Sequence, residues 1–524
     1  FIPSFFFGRL DETIEEKLIS QHGRHKIDQY TKCQMNLFIV ESPGKVAKTS
    51  KILGKDFVVR ATKGHFRDLD KKKMSIDFDN EFAPIYVITK PDVARDLTRA
   101  MKGIKCLYIA SDLDMEGEAI GQHIYEHLRP KHYKRVVFSS VTRDAILKAI
   151  ENAGKLDQDL VDAQKTRRVL DRLFGYMISP VLRRRLGGNL SAGRVQSVAT
   201  KIIIARENEI IEFVEKNEGS SSFRVTGVFG KKLQCHLHST AQAEAPYKSH
   251  PVSLPKKDRT VKKLLGKMAK ADWTVSSVRT KESIRNPSPP FETSTLQQEA
   301  NRKFGMSVDT TMKLAQFLYE SGYITYMRTD SVSMSKEGHA KIKETIVETY
   351  GKSEYKYRQY ETKSASAQEA HEAIRPTEPS LESLEKKLDN PAACRLYRLI
   401  RQRTLASQMK SATLDICTIQ IGPDIPIELE DESKIYFQST IETITDPGFM
   451  AVYVESTDDE EVKEDQAGMK PPREGRPISM VCITAKEEYR RAPPRYTEAT
   501  LVKAMKTLRI GRPGTYASII KTIM

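Results

Sequence analysis

The chain has 524 residues, with 85 Lys and Arg against 69 Asp and Glu, a formal net charge of +16, and 39% hydrophobic residues. That is enough for three or four domains at roughly 150 residues each. No stretch approaches the roughly 18 uninterrupted apolar residues of a membrane-spanning helix, so a membrane-spanning protein and a wholly disordered chain are both excluded. The cysteines, Cys33, Cys106, Cys235, Cys394, Cys417 and Cys482, lie far apart with no CxxC pair. Neither a disulfide framework nor a zinc ribbon is encoded in this stretch, and a reducing, intracellular setting is expected. The positive excess fits nucleic acid, an anionic membrane surface or simply a basic soluble protein.

Along the chain, Phe1 stands where Met is usual, and the apolar residues 1–7 are too short and lack the basic start of a signal peptide. From Asn36 short apolar runs precede loops and helices: Leu37-Phe38-Ile39-Val40 before Glu41-Ser42-Pro43-Gly44-Lys45, and Cys106-Leu107-Tyr108-Ile109-Ala110 before Ser111-Asp112. Buried strands followed by a loop and a helix predict an α/β fold with a largely parallel sheet. Residues 159–214 are basic and helical, and after Asn217-Glu218-Gly219-Ser220 the period switches to strand in Phe223-Arg224-Val225-Thr226-Gly227-Val228-Phe229. Asn286-Pro287-Ser288-Pro289-Pro290 is a stiff boundary, because successive prolines prevent helix continuation. Residues 294–409 then read as mostly helical, and 412–454 as strand-rich. The acidic run 455–461 reads as a solvated loop, Lys470-Pro471-Pro472 as a linker, and the rest as α-rich. The stop at Met524, directly after a predicted helix, suggests a piece of something longer.

The cluster Asp112-Leu113-Asp114-Met115-Glu116-Gly117-Glu118 follows a predicted strand, which puts its acids at the carboxyl end of a parallel sheet, where ligands bind. Closely spaced carboxylates repel unless a cation neutralises them, and hard oxygen donors with room for water suit Mg²⁺. The alternative is an acidic first helical turn favoured by the dipole. Glu41 also ends a predicted strand, beside Lys45, and the two strand ends converge if the strands are neighbours. Glu followed by DxD on successive α/β units resembles the TOPRIM module of topoisomerases, primases and some nucleases.

In Gly322-Tyr323-Ile324-Thr325-Tyr326-Met327-Arg328-Thr329-Asp330-Ser331 a tyrosine stands two residues before an arginine. A phenol, with a pKa of about 10, needs a nearby cation and a polarised phosphate to act as a nucleophile. The string resembles the active-site motif of type IA DNA topoisomerases. Further segments are similar to that family in the same order: Glu41-Ser42-Pro43-Gly44-Lys45, Gly64-His65-Phe66-Arg67-Asp68-Leu69, the 112–118 cluster, Asp171-Arg172-Leu173-Phe174-Gly175-Tyr176, Leu190-Ser191-Ala192-Gly193-Arg194-Val195-Gln196-Ser197, Gln368-Glu369-Ala370-His371-Glu372-Ala373-Ile374-Arg375-Pro376, and Ile510-Gly511-Arg512-Pro513-Gly514-Thr515-Tyr516. The resemblance runs from Asn36 to the last residue. Met327 and Glu41-Ser42-Pro43 look like the bacterial topoisomerase I branch, without its C-terminal zinc ribbons.

The resemblance implies a multidomain α/β plus α plus β fold, with a TOPRIM α/β domain, helical domains and a strand-rich hinged arch forming a torus. The expected domains are 1–35, an extension of unknown role; 36–157, TOPRIM; 158–213 with 480–524, a helical DNA-groove domain cut short; 214–286 with 410–479, the arch; and 287–409, the helical domain carrying the tyrosine. It implies that Tyr326 attacks a single-stranded phosphodiester and becomes joined to the 5′ phosphate. A strand then passes, and the 3′ hydroxyl reverses the attack, relaxing negatively supercoiled DNA. Ester exchange conserves the bond, so no ATP is required, and no GxxxxGK[ST] phosphate loop occurs. Arg328 and Lys45 are expected to stabilise phosphate charge. Glu41 is expected to carry the proton of the 3′ hydroxyl, and Glu41, Asp112, Asp114 and Glu116 to hold Mg²⁺. Asp330 is expected either to orient Arg328 or to cap a helix. His371, placed on a helical face with Gln368 and Arg375, is expected to hydrogen-bond a phosphate near the nucleophile. His65, Arg67, Arg167, Arg168, Asp171, Tyr176, Ser191, Gly193, Arg194, Gln196, Arg375 and Arg512 are the expected DNA contacts, with Tyr176 either a base-stacking platform or a buried aromatic. The expected partner is single-stranded or negatively supercoiled DNA, with no membrane and no zinc, for a monomer in the cytoplasm or nucleoid if bacterial, or behind an organelle signal. A topoisomerase III-like decatenase and a catalytically silent DNA-binding relative are the alternatives.

Overall fold

The computed structural model describes residues 35–217, 221–240, 252–255, 258–362, 372–456 and 469–524. The extension before Met35, His371 and the acidic run from Thr457 lie outside them. The chain divides into two compact units. One comprises Phe1–Arg194, Lys313–Thr329 and residues 367–372, the other Val195–Met312, Asp330–Ser366 and Ala373–Met524.

In the first unit the chain runs through β1 (Asn36–Val40), α1 (Val46–Leu53), β2 (Phe57–Ala61), an antiparallel pair β3 (Arg67–Leu69) and β4 (Tyr86–Ile88), α2 (Pro91–Ala100), β5 (Leu107–Ala110), α3 (Met115–Leu128), β6 (Tyr133–Arg135), α4 (Arg143–Glu151) and the 29-residue α5 (Gln158–Leu186). The main sheet is parallel throughout, in the order β2-β1-β5-β6. Leu37, Phe38, Ile39 and Val40 are all fully buried, which explains the continuous apolar run, since a central parallel strand is covered on both faces. Leu37, Ile39, Leu107 and Ile109 pack with Val93 and Leu97 of α2 and Ile120 and Ile124 of α3. Val40 pairs with Ala110, so Glu41 and Ser111 leave the sheet side by side at its carboxyl edge.

The second unit begins at Val195, inside α6 (Arg194–Asn217), and holds a seven-stranded antiparallel sheet. Its strands are β7 (Ser221–Phe229), β8 (Leu233–Ser239), β9 (Ser253–Pro255), β10 (Trp273–Arg285), β11 (Ala412–Pro423), β12 (Ile435–Asp446) and β13 (Met480–Tyr489), with α7 (Asp258–Lys270) between β9 and β10. Phe229, Trp273 and Phe437 meet edge to face at 5.2–5.5 Å between centroids in its core. β13 pairs with β7 over its whole length, so the sheet extends past residue 479, where the sequence reading ended the arch. The linker before β13 misled that reading: it returns the chain to the sheet rather than leaving it.

The helices of this unit are α8 (Thr293–Phe304), α9 (Val308–Glu320), α10 (Lys336–Tyr350), α11 (Pro391–Ser407), α12 (Glu498–Thr507) and α13 (Tyr516–Ile523), although the second half of α9 groups with the first unit. α12 opens with a capping box in which Thr497 and Thr500 satisfy each other's backbone amides. Its Leu501, Val502 and Met505 pack with Ala199 of α6 and Tyr516 and Ile520 of α13. The fold is thus a mixed α/β multidomain one, and among the described residues no helix is long and apolar enough to cross a membrane.

Candidate active site

The site is built within the first unit, where the β1 and β5 ends, the start of α3 and residues 313–329 meet. Ser42 accepts a hydrogen bond from Gly44 N at 3.2 Å and so caps the short turn Pro43–Lys45. That turn delivers Lys45, which is fully buried, onto the Asp112 carboxylate, with its ammonium 4.6 Å from the centroid of the Tyr319 ring. Burial opposes the Lys45 charge, but Tyr319 and Asp112 prevail and hold it above the usual lysine range.

Asp114 caps α3 through Oδ1, which accepts from Gly117 N at 2.9 Å. Its other oxygen, Oδ2, accepts a hydrogen bond from the Tyr326 hydroxyl at 2.6 Å and lies 3.6 Å from Arg328 Nη1. Tyr326 is 2% exposed; its backbone N–H donates to Ser139 O at 2.8 Å, and its ring meets Tyr319 edge-on at 5.2 Å. Burial first, then the Asp114 and Asp112 charges, push its phenol well above the ordinary tyrosine value. Lys48 Nζ donates to Ser321 O at 2.9 Å, fixing the turn that precedes the string.

Glu41 completes the group. Burial, followed by the charges of Asp112 and Asp114, raises its carboxyl to about 7 against the opposing pull of Lys45 and Arg328. Its Oε2 is buried with no hydrogen-bond partner. An orphaned carboxylate oxygen beside two further carboxylates is a hard-oxygen donor set of the kind that suits Mg²⁺, so Glu41, Asp112 and Asp114 fit a metal, although Lys45 and Arg328 already pair with two of them. Among the described residues, no three acidic, His or Cys side chains form a ready-made cage.

Glu116 stands apart from these three. Its Oε2 lies 3.1 Å from His65 Nε2 and accepts from Gln164 Nε2 at 3.0 Å, while Oε1 is 3.4 Å from Arg167 Nη1. Burial disfavours its charge, but these partners outweigh it and hold the carboxyl at about 2. In this structure the Glu116 carboxylate faces β3's approach loop and α5 through His65, Gln164 and Arg167.

The remaining expected residues divide. Arg67 pairs with Glu126. Arg168 forks onto Asp68 at 2.9 and 2.8 Å. Asp171 joins Arg194 at 2.9 Å and Arg167 at 3.7 Å. Tyr176 is half-exposed, its hydroxyl on Lys71 O and the Arg172 guanidinium 4.4 Å from its ring centroid. Ser191 is exposed and Gly193 partly so. These all lie in the first unit. Gln196, Asp330, Arg375 and Arg512 belong to the second. Asp330 caps no helix, because Ser335 caps α10, and it lies in electrostatic range of Tyr516. Arg375 is 6% exposed, donates to Pro376 O at 3.2 Å and Ser335 Oγ at 3.3 Å, and sits in irregular backbone next to the Phe291–Ile374 bridge. The helical face expected to carry it is absent at residues 372–375, and Arg375 meets the start of α10 at Ser335. Arg512 is exposed beside the turn into α13.

Sequence reasoning missed Arg135. It is 2% exposed and donates to Glu118 Oε1 at 2.7 Å, Ser111 O and Val136 O at 2.8 Å, and Asp112 O at 2.8 Å. It therefore clamps the turn that aims the acids. An arginine ending a short strand gives no periodic signal; the unassigned Glu118 in the acid cluster was the only hint.

Comparison with known proteins follows the same geography. The DNA topoisomerase family matches residues 155–524, and the Toprim domain residues 36–141. A DNA topoisomerase 1 of prokaryotic type from Acanthamoeba polyphaga mimivirus is 52% identical over 501 residues, covering 93% of this chain and 58% of the relative. DNA topoisomerase 1 of Mycobacterium tuberculosis is 39% identical over 533 residues, covering 93% and 56%. Full-length topoisomerase I from Thermotoga maritima superposes with a TM-score of 0.77 at 34% identity, over 93% of this chain and 78% of that one. The chain thus spans a little over half the length of these curated relatives.

Proposed function

This chain belongs to the type IA DNA topoisomerases, on the prokaryotic topoisomerase I side, and we propose that it cuts and rejoins one DNA strand through Tyr326 without ATP, relaxing negatively supercoiled DNA. The observation that carries this is the meeting of the Tyr326 hydroxyl with Asp114 beside Arg328, Lys45 and Glu41.

In the proposed step Tyr326 Oη forms a bond to phosphorus as the bond to the 3′ oxygen breaks, leaving a 5′-phosphotyrosine. Asp114 Oδ2, already holding the phenolic hydrogen, takes that proton. Glu41, whose carboxyl near 7 is populated in both protonation states at neutral pH, gives a proton to the departing 3′ oxygen and takes it back on religation. Arg328 stabilises charge on the phosphate. Lys45 keeps Asp112 oriented and compensated. When bound by Glu41, Asp112 and Asp114, Mg²⁺ would supply positive charge for the phosphodiester. The raised phenol value describes a resting site with no phosphate beside Arg328. The protein is proposed to act on DNA as a monomer inside the cell.

The test is a 3′-end-labelled single-stranded oligonucleotide, incubated with Mg²⁺ and no ATP and quenched in denaturant. A labelled strand bound covalently to the protein, and lost in Tyr326→Phe, is expected. Equal adduct in both proteins would place the nucleophile elsewhere.

A further inference from the structure

Between β3 and β4 the chain carries Lys71, Lys72 and Lys73, all exposed. Among the described residues no carboxylate lies within ion-pair reach of any of the three ammonium groups. The backbone beneath them is held firmly. Arg172, 5% exposed, donates Nη1 to Asp70 O at 2.6 Å and Lys73 O at 2.9 Å, and Nη2 to Leu69 O at 3.4 Å. The Tyr176 hydroxyl donates to Lys71 O, and Lys72 N donates to Asp70 Oδ1 at 2.7 Å. A buried guanidinium whose hydrogen bonds all go to carbonyls serves the loop rather than a carboxylate, and it holds the Leu69, Asp70 and Lys73 carbonyls in place while the lysine side chains stay in water.

α5 sets where that loop stands. Gln164 and Arg167 hold Glu116, Arg168 holds Asp68, and Arg172 and Tyr176 hold the loop, so one helix face carries all these partners at three- and four-residue spacing. The twelve residues from Gln164 to Tyr176 correspond to about 18 Å of helix at 1.5 Å per residue. The lysines therefore sit a few nucleotides away from the acid cluster.

We propose that Lys71, Lys72 and Lys73, presented by the Arg172 clasp, form a pre-ordered phosphate clamp for the single-stranded DNA that reaches the Tyr326 site, a proposal that rests on the DNA-cleaving reading above. Ordering the loop in advance lowers the entropic cost of engaging phosphates, which is what the buried Arg172 achieves. Arg172 is the positioning residue, and the lysines are the contacts.

The test uses the full chain and a fluorescent single-stranded oligonucleotide, titrated by anisotropy over a range of salt. Three lost phosphate contacts should lower the slope of log K against log salt by about 2 in the triple variant K71Q/K72Q/K73Q, at roughly 0.7 per contact. Arg172→Gln should weaken binding in the wild-type background and cost nothing further in the triple variant, because its effect runs through the lysines. An unchanged slope in the triple variant, or an Arg172→Gln penalty that persists without the lysines, would overturn the clamp. Adduct formation at Tyr326 on the same oligonucleotide separates the two readings. A chain that cleaves with an unchanged slope loses the clamp alone, and one that shows the slope change but never forms adduct loses the cleavage reading instead.

Discussion

Gly117 gives the sharpest prediction about how the acids are aimed. It occupies the first turn of α3, donates its N–H to Asp114 Oδ1 at 2.9 Å and accepts from Ser111 Oγ at 2.6 Å. A Cβ placed on it would stand 2.0 Å from Asp112 O, 2.8 Å from Asp112 C and 2.9 Å from Asp112 N. These are backbone atoms that no rotamer change moves. Reaching ordinary contact at about 3.4 Å requires the peptide to retreat by about 1.4 Å, yet that peptide is pinned by Arg135 and its side chain by Lys45. Gly117→Ala is therefore expected to cost about 1–3 kcal/mol by overpacking. A displacement of this size in the acid cluster should also slow cleavage about 100-fold. Thermal unfolding and the initial rate of labelled-adduct formation measure the two effects. Gly154→Ala, where a Cβ meets nothing within 4 Å, is the control and should leave both unchanged. If Gly117→Ala melted within about 1 °C of the parent and cleaved at the parental rate, close approach would not be what this position requires.

Arg135→Leu would leave Glu118, 5% exposed, buried without its cation, at a cost of about 3–5 kcal/mol; denaturant unfolding should show the loss, and a midpoint near the parental one would contradict the clamp. Thr497→Ala removes the side chain that accepts from Thr500 N at 3.2 Å and should destabilise by about 1 kcal/mol, read as a small fall in melting temperature. Asp68 is opposed by burial, but its hydrogen bonds from Arg168 hold its carboxyl below the usual range. Its contribution is present above the unfolded value of about 4 and is lost as pH falls through the folded one. The melting temperature of Asp68→Asn should therefore fall less steeply than the parental one as pH drops below about 4; identical pH profiles would refute the linkage.

The parts of the site that local sequence could carry were legible. Continuous apolar runs placed Glu41 and Asp112 at strand ends, because burial on both faces of a parallel sheet leaves no alternation to blur the boundary. The proline cluster 287–290 ended the strand-rich stretch where the sequence reading expected, since those residues cannot continue either regular element. What local pattern could not carry were partners distant in the chain. Glu116 was grouped with Asp112 and Asp114 by spacing, but its partners His65, Gln164 and Arg167 are about fifty residues away, and only packing reveals them. Arg375 is expected at a phosphate because its segment resembles the family's motif, whereas in this structure it is buried and hydrogen-bonded at the α10 start. The proline-rich linker before Met480–Tyr489 suggests that the chain leaves the sheet there, but its pairing is set by β7, a strand more than two hundred residues earlier.

The same distinction governs the basic surface. Of the cations first expected to meet DNA, Arg167, Arg168 and Arg194 each already face a carboxylate in this structure. Those pairs are a quarter to a half exposed, and such pairs are worth about 0–1 kcal/mol, so an arriving phosphate can take over the arginine at little cost. The Lys45–Asp112 pair is different: both partners are buried, and separating them leaves an uncompensated charge worth about 3–5 kcal/mol. Binding should therefore re-partner these arginines while leaving Lys45 where it is. The sequence-wide excess of +16 measures neither behaviour, because affinity follows the cations that phosphate can reach and free, and the lysines at 71, 72 and 73 are ready for it without any exchange.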